Sequence, residues 1–151
     1  MTPPAQQSSA SIRVNASPSE IFELLRNPNQ HHRFDGSGMV RLQRGGDQTL
    51  GEGSSFTMNM KLGPIPYRMT NRVVEFETDR LIAWAHLGGH RWRYSLTPDG
   101  DGTLVTETFD WSTSKAPRYI ERMGYPERNR KAIVETLSRL AALFESSNDG
   151  A

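Results

Sequence analysis

Cysteine is absent from the 151 residues, so disulfides, thiol nucleophiles and cysteine-ligated zinc are excluded. The same absence fits a reducing compartment, and a cytoplasmic location is expected. An excess of charge of one sign is also lacking: 18 Lys and Arg stand against 17 Asp and Glu, for a formal net charge of +1. A nucleic-acid surface needs clustered cations. The densest basic stretch, Arg118 to Lys131, is interrupted by Glu121 and Glu127, so it reads as a solvated helix face and no nucleic-acid partner is expected. No apolar run approaches the ~20 residues that span a bilayer, so no integral membrane segment is expected. Residues 1–10 lack both the cationic start and the apolar stretch of a signal peptide. Without secretion, the sequon Asn15-Ala16-Ser17 is a chance match.

Signatures of chemistry are scarce as well. There is no Gly-x-Ser-x-Gly and no strand-elbow-helix context for a nucleophilic serine. Gly51-Glu52-Gly53-Ser54-Ser55-Phe56 has phenylalanine where a dinucleotide loop needs its third glycine, and strand-like residues follow where a helix should start. These glycines instead fit a hairpin and a bend in a sheet. His31 and His32 are adjacent on a short helical stretch, so their side chains diverge. His86 and His90 fall on opposite faces of the hairpin described below. With no third ligand at useful spacing, no metal or other cofactor is expected.

The length suits one domain, which at this size buries roughly 68–70% of the surface its unfolded chain exposes. The expected organisation is a disordered segment over 1–10, one domain over 11–145 and a disordered tail over 146–151. The first helix is announced by Ser17 as N-cap, Pro18 at the first helical position and Glu20 completing a capping box. Ile21, Leu24 and Leu25 form its apolar stripe. Asn27-Pro28 ends it, because the residue before proline is pushed out of the helical region. A second short turn is expected over Pro28 to His32.

From Met39 to Trp111 the hydrophobic period becomes two. Phe56, Met58 and Met60 alternate with Thr57, Asn59 and Lys61. Tyr67, Met69, Asn71 and Val73 alternate with Arg68, Thr70 and Arg72. Turn signals at Gly45-Gly46-Asp47, Gly63-Pro64, Thr78-Asp79, Gly88-Gly89 and Pro98 to Gly102 have the spacing of an antiparallel meander. A two-residue turn at Gly88-Gly89 predicts Leu87 opposite His90, Ala85 opposite Trp92, Ala83 opposite Tyr94 and Leu81 opposite Leu96. That face carries no charge and sets small residues against large ones, so it is assigned to the interior. Ile82, Trp84 and His86 then lie outside with Ser95, Arg93 and Arg91, and Trp84 and Arg93 make a cation–π pair. One more loop residue would exchange the two faces.

Pro126 to Glu145 predicts one long closing helix, with Ile133, Val134, Leu137, Leu140, Ala141 and Phe144 as its buried stripe. Glu127/Lys131 and Glu135/Arg139 supply i, i+4 pairs on the opposite side. A strand, a short helix, a run of strands and a closing helix is the order of a curved sheet gripping a terminal helix. The expected fold class is therefore α+β.

The chain resembles the START-like (SRPBCC) superfamily, in its bacterial polyketide cyclase/dehydrase-like branch. The likeness is carried by Ala16-Ser17-Pro18-Ser19-Glu20-Ile21-Phe22, by Gly51 to Phe56, by Arg72 to Leu81, by Gly102-Thr103-Leu104-Val105-Thr106 and by the closing helix. It runs from about residue 11 to residue 145; the order and spacing of these segments carry it. The resemblance implies a helix-grip (Bet v 1/START-like) fold, with a seven-stranded antiparallel sheet around the C-terminal helix and a cavity between them. It also implies a small hydrophobic partner, lipid- or polyketide-like, held by a carrier or sensor. Only some members are enzymes and these share no universal catalytic motif, so no catalytic residue is carried over.

The strand phases nominate Phe56, Met58, Met60, Tyr67, Met69, Asn71, Trp92, Tyr94, Phe109 and Leu137 as ligand-binding residues. The polar residues aimed inward, Tyr94, His90 and Glu107, are the acid–base candidates if the protein is a cyclase, aromatase or dehydratase. Plain pocket-wall roles for Tyr94 and His90 stand beside that reading. Glu107 shares its phase with Val105 and Phe109. It is either a buried carboxyl with a raised pKa or part of a wet strand edge. Arg33 and Asp35 either contribute charge at a cavity entrance or pair with each other at the surface. A third reading is a protein-interaction module using the outer sheet face, against which Arg68, Arg91 and Arg93 argue.

Overall fold

The computed structural model describes residues 6–43, 48–86 and 88–149. Strand β1 (Gln7–Val14) leads into α1 (Pro18–Leu25) and a 3-10 turn (Pro28–Arg33). Then come β2 (Val40–Gln43), β3 (Ser55–Leu62), β4 (Ile65–Glu77), β5 (Leu81–Ala85), β6 (Arg91–Asp99) and β7 (Gly102–Asp110). The short α2 (Pro117–Arg122) and the long α3 (Tyr125–Asp149) close the chain. The strands form one seven-stranded sheet in the order β1-β7-β6-β5-β4-β3-β2, with every neighbouring pair antiparallel. No helix among the described residues is long and apolar enough to cross a membrane.

Local chemistry accounts for the boundaries. The Ser17 hydroxyl accepts from the Glu20 amide at 3.2 Å, and Ile21, Phe22 and Leu25 are buried beneath α1. Phe22 meets Phe76 edge-on at 5.4 Å, a core contact the predicted stripe omitted. Gly63, at φ 56°, opens a two-residue turn that pairs Leu62 with Ile65. The turn signal at Gly45-Gly46-Asp47 lies outside the described residues.

Two boundaries differ from expectation. Strand pairing begins at Gln7, opposite Asp110, so residues 7–10 belong to β1 and not to a leading segment. As an edge strand held by backbone hydrogen bonds, this half needs few large apolar residues, so its sequence carries little signal. The closing helix likewise runs on to Asp149. Within it, Ile133, Leu137 and Leu140 are buried, whereas Val134 is 50% exposed. Val134 lies one step round the helix from Ile133, and Thr136 takes the buried position instead. Glu135 pairs with Arg139 at 2.9 Å; Glu127 and Lys131 make no ion pair among the described residues.

The β5–β6 hairpin corrects the predicted register by one residue. Leu81 pairs with Ser95, Ile82 with Tyr94, Trp84 with Trp92 and Ala85 with Arg91. Three residues, not two, therefore separate His86 from His90, the amide of Gly89 donating to the His86 carbonyl at 2.9 Å. Gly89 sits at φ 87°, and a Cβ there would lie 2.6 Å from the Thr113 carbonyl oxygen. Leu87 lies outside the described residues. The inward assignment of His90, Trp92, Tyr94 and Leu96 stands, while β5 is inverted: Ile82, Trp84 and His86 face the interior. Trp84 and Arg93 are thus on opposite faces and make no cation–π pair. Arg93 instead binds Glu75 at 2.7 Å and Asp110 at 3.2 Å, and Arg91 joins Glu75 at 2.9 Å. Ala83, between Glu75 and Arg93 in register, is fully buried under this network.

A second irregularity sits in β4, where Val73 pairs with Trp84 but Glu75 with Ala83. The extra residue, Val74, is a bulge that shifts the inward phase from Tyr67, Met69, Asn71 and Val73 to Phe76. It also bends the strand, which helps the sheet curl round α3. The chain after the 3-10 turn touches α3 through Gly36, whose amide donates to Thr136 Oγ1 at 2.8 Å. A Cβ at Gly36 would lie 2.6 Å from both the Ala132 carbonyl oxygen and the Thr136 amide nitrogen.

Candidate functional site

Between the concave face of the sheet and α3 lies a cavity of about 510 Å³. Nine of the ten nominated ligand-binding residues line it: Phe56, Met58, Met60, Tyr67, Met69, Asn71, Trp92, Tyr94 and Phe109. Leu137 does not. Only the N-terminal half of α3, through Arg128, Asn129, Ala132, Ile133 and Thr136, faces the cavity, and Leu137 packs in the core beyond its end. The acid–base candidates His90, Tyr94 and Glu107 all face in.

The register predicted for the hairpin concealed part of the wall. Trp84 and His86 line the cavity. Trp84 lies 5.7 Å from Phe56 and 5.8 Å from Tyr94, and stacks on His31 at 4.9 Å. Trp92 and Phe109 continue the aromatic surface at 4.9 Å. His31 is buried, and its Nε2–H donates to the Leu25 carbonyl at 2.7 Å. Burial lowers its pKa to about 4, against the opposing effect of that hydrogen bond. His32, its neighbour, is exposed, so the two side chains do diverge.

His86 and His90, expected on opposite faces, meet edge-on with ring centroids 4.0 Å apart. Burial, reinforced by the neighbouring His86, lowers His90 to about 4, so both rings are neutral near pH 7. Among the described residues, no three of His, Cys, Asp or Glu come together. Arg33 and Asp35 make no pair: Arg33 donates to the Gln30 amide oxygen at 2.8 Å. Asp35 caps the following loop by accepting from the Ser37 hydroxyl and from the amides of Ser37 and Val40. Only Asp35 of the two lines the cavity.

Glu107 resolves in favour of the interior. It is 5% exposed and stands opposite Tyr94 across the β6–β7 ladder. The Tyr94 hydroxyl hydrogen-bonds its carboxyl. Burial pushes the Glu107 pKa up to about 8, the Tyr94 bond opposing this and the charge of Asp35 adding to it. Burial and then the Glu107 charge hold the Tyr94 hydroxyl well above its ordinary value. At neutral pH the pair is therefore a carboxylic acid beside a phenol. Glu107 Oε1 is buried without a partner. At the other end of the cavity, Lys115 and Arg128 line the walls with Tyr119 and Tyr125, and Arg128 lies over the Tyr125 ring at 4.4 Å.

A curled antiparallel sheet gripping a long helix around an apolar cavity defines the helix-grip class. The sequence profile of the family described as polyketide cyclase/dehydrase and lipid transport matches residues 5–145, and the chain belongs to that family. An uncharacterized protein of Mycobacterium tuberculosis, Rv0088, is 38% identical over 140 residues, covering 88% of this chain. The chain spans 62% of the length of the curated relatives that it matches. Among solved structures, a polyketide-cyclase-like protein from Corynebacterium glutamicum superposes with a TM-score of 0.66 at 20% identity, covering 99% of this chain and 97% of its own. A protein from Nitrosomonas europaea superposes with a TM-score of 0.72 at 14% identity, covering 95% and 96%. At these identities the structural matches establish the fold. Family and fold together support a role in binding a hydrophobic ligand.

Proposed function

We propose that the protein holds one small hydrophobic molecule, lipid- or polyketide-like, between sheet and helix, as a carrier or sensor. The observation that carries this reading is the cavity itself: about 510 Å³, walled by aromatic and methionine side chains, with a few polar groups facing in. That combination is the usual design of a small-molecule site, and the methionines adapt to ligands of variable shape. The outer face of the sheet favours this reading over an interaction module. It is occupied by the Arg91–Arg93–Glu75–Asp110 network and by hydroxyl pairs such as Thr57–Thr70 and Ser11–Thr106.

Titration with the neutral fluorophore N-phenyl-1-naphthylamine tests the proposal. One equivalent should bind, and Trp92→Ala combined with Tyr94→Ala should abolish binding. Undiminished binding by that variant would place the site elsewhere. Native mass spectrometry of protein isolated from its own host should show a bound apolar compound.

The Glu107–Tyr94 pair favours one further reading, an acid–base enzyme of the cyclase or dehydratase type. A carboxylic acid protonated at neutral pH and facing the cavity can deliver a proton to a ligand carbonyl or to a departing hydroxyl. Under this reading Glu107→Gln lowers turnover about 10²–10⁴-fold with little change in affinity. A parallel loss of affinity and turnover would mark Glu107 as a wall residue.

A further inference from the structure

The charges on the cavity wall are unevenly placed. Among the described residues the only lysine and arginine on it are Lys115 and Arg128, and both are exposed. A side chain that is exposed and yet lines the cavity stands at its rim, with the apolar stem on the wall and the charged head in water. Neighbouring contacts hold this rim in place. The Lys115 amide donates to the Gly88 carbonyl at 3.0 Å, which ties the segment before α2 to the β5–β6 loop. The Arg128 guanidinium lies over the Tyr125 ring at 4.4 Å, and Tyr125 meets Tyr119 edge-on at 6.3 Å. Stacking occupies the face of a guanidinium and leaves its N–H edge free. Neither cation enters an ion pair or donates a side-chain hydrogen bond among the described residues. Two positive charges therefore stand unmatched at the cavity opening.

The interior has the reverse character. The wall carries two carboxyl groups, Glu107 and Asp35. Glu107 is buried and holds its proton at neutral pH. Asp35 is engaged by the Ser37 hydroxyl and by the amides of Ser37 and Val40. After burial and the bond that Glu107 and Tyr94 share, the charge of Asp35 is what bears on that pair. Burial keeps His31, His86 and His90 uncharged near pH 7, so the rim cations alone supply positive charge. An anion placed beside Glu107 would meet Asp35 and lose its hydration with no cation to offset the cost. At the rim it keeps part of its water and gains two cations.

We infer that the cavity takes an amphiphile, with an apolar body against the aromatic and methionine wall and an oxyanion head, carboxylate or phosphate, at Lys115 and Arg128. This rests on the ligand-holding reading above and assigns that ligand a charge and an orientation. A guanidinium edge and an ammonium are the donors that match an oxyanion.

Displacement of N-phenyl-1-naphthylamine at pH 7 tests the assignment with four dodecyl compounds, each below its micelle concentration: dodecanoate, dodecyl phosphate, dodecan-1-ol and dodecylammonium. At least one anion should displace the fluorophore at a concentration about 4–25-fold lower than the alcohol, the combined effect of two partly exposed ion pairs. Dodecylammonium should be the weakest, and the tighter anion identifies the head. Lys115→Gln and Arg128→Gln should each weaken that anion about 2–5-fold. The double variant should bring it to the level of the alcohol, and added salt should shrink the difference. Displacement by dodecan-1-ol should be the same in every variant, which also reports that they are folded. Anions no tighter than the alcohol, or an advantage that survives both substitutions, would overturn the inference and leave the apolar cavity reading standing. Binding of the fluorophore with no displacement by any dodecyl compound would do the same. Failure of the fluorophore to bind would overturn the ligand-holding reading itself.

Discussion

Replacing Glu107 by glutamine should abolish a loss of stability that the wild-type protein suffers above neutral pH. In the unfolded chain this carboxyl titrates near 4.5, and in the folded protein near 8, with burial the main cause and Tyr94 and Asp35 the facing groups. Between those values the folded state holds the extra proton. The contribution is therefore complete below about pH 4.5 and is lost as pH rises towards 8, at about 1.4 kcal/mol per pH unit. His31 and His90 act in the opposite sense. Burial lowers both from 6.5 to about 4, so the folded state binds fewer protons and stability rises across that window; His86 is lowered in the same direction. At pH 6.5 these histidines are neutral in the folded protein but half protonated in the unfolded chain, so each still adds about 0.4 kcal/mol of stability up to pH 8 and partly offsets the loss at Glu107. Relative to Glu107→Gln, the wild-type protein should thus lose about 2 kcal/mol between pH 6.5 and 8, or roughly 4–8 °C of Tm for a domain of this size. Glutamine keeps the shape of the side chain but does not ionise, so the variant should show only the rise that the buried histidines give, without the loss at Glu107. Urea unfolding at half-unit pH steps measures both curves. Parallel wild-type and Glu107→Gln profiles between pH 6.5 and 8 would refute a buried, protonated Glu107.

Three further perturbations check the packing. Leu137→Ala, at a side chain 2% exposed, should cost ~2–5 kcal/mol in chemical denaturation. Gly36→Ala places a methyl against the backbone of α3 at Ala132 and Thr136 and should cost about 1–3 kcal/mol; an unchanged denaturation midpoint would contradict that close approach. Ser17→Ala removes the hydroxyl that caps α1 and should lower stability by about 1 kcal/mol, with the weakened amide protection confined to the first turn in hydrogen exchange.

Much of the architecture is legible in the sequence because its signals are local. Ser17-Pro18 and Asn27-Pro28 bound α1 through capping and proline sterics. The alternation in Phe56 to Met60 and in Val105 to Phe109 assigns inward and outward residues without reference to any other strand. For that reason Glu107 could be placed in phase with the core, and nine of ten nominated wall residues line the cavity. The closing stripe of α3 emerges from the 3.6-residue period, with Val134 as its one misplaced member.

The remainder depended on how segments meet. Both faces of Leu81 to Ala85 carry residues fit for an interior, and alternation alone does not say which face is covered. The choice between alanines and Trp84 was made by one residue in the loop before His90, which Gly89 stabilises by packing against Thr113. That slip brought Trp84 into the cavity wall and His86 against His90. The bulge at Val74 and the contact of Gly36 with α3 are likewise invisible in their own neighbourhoods, since each is defined by a partner far along the chain. The protonation of Glu107 belongs to the same class. Its phase is a property of β7, but its pKa near 8 comes from the desolvation that only the assembled sheet and helix impose.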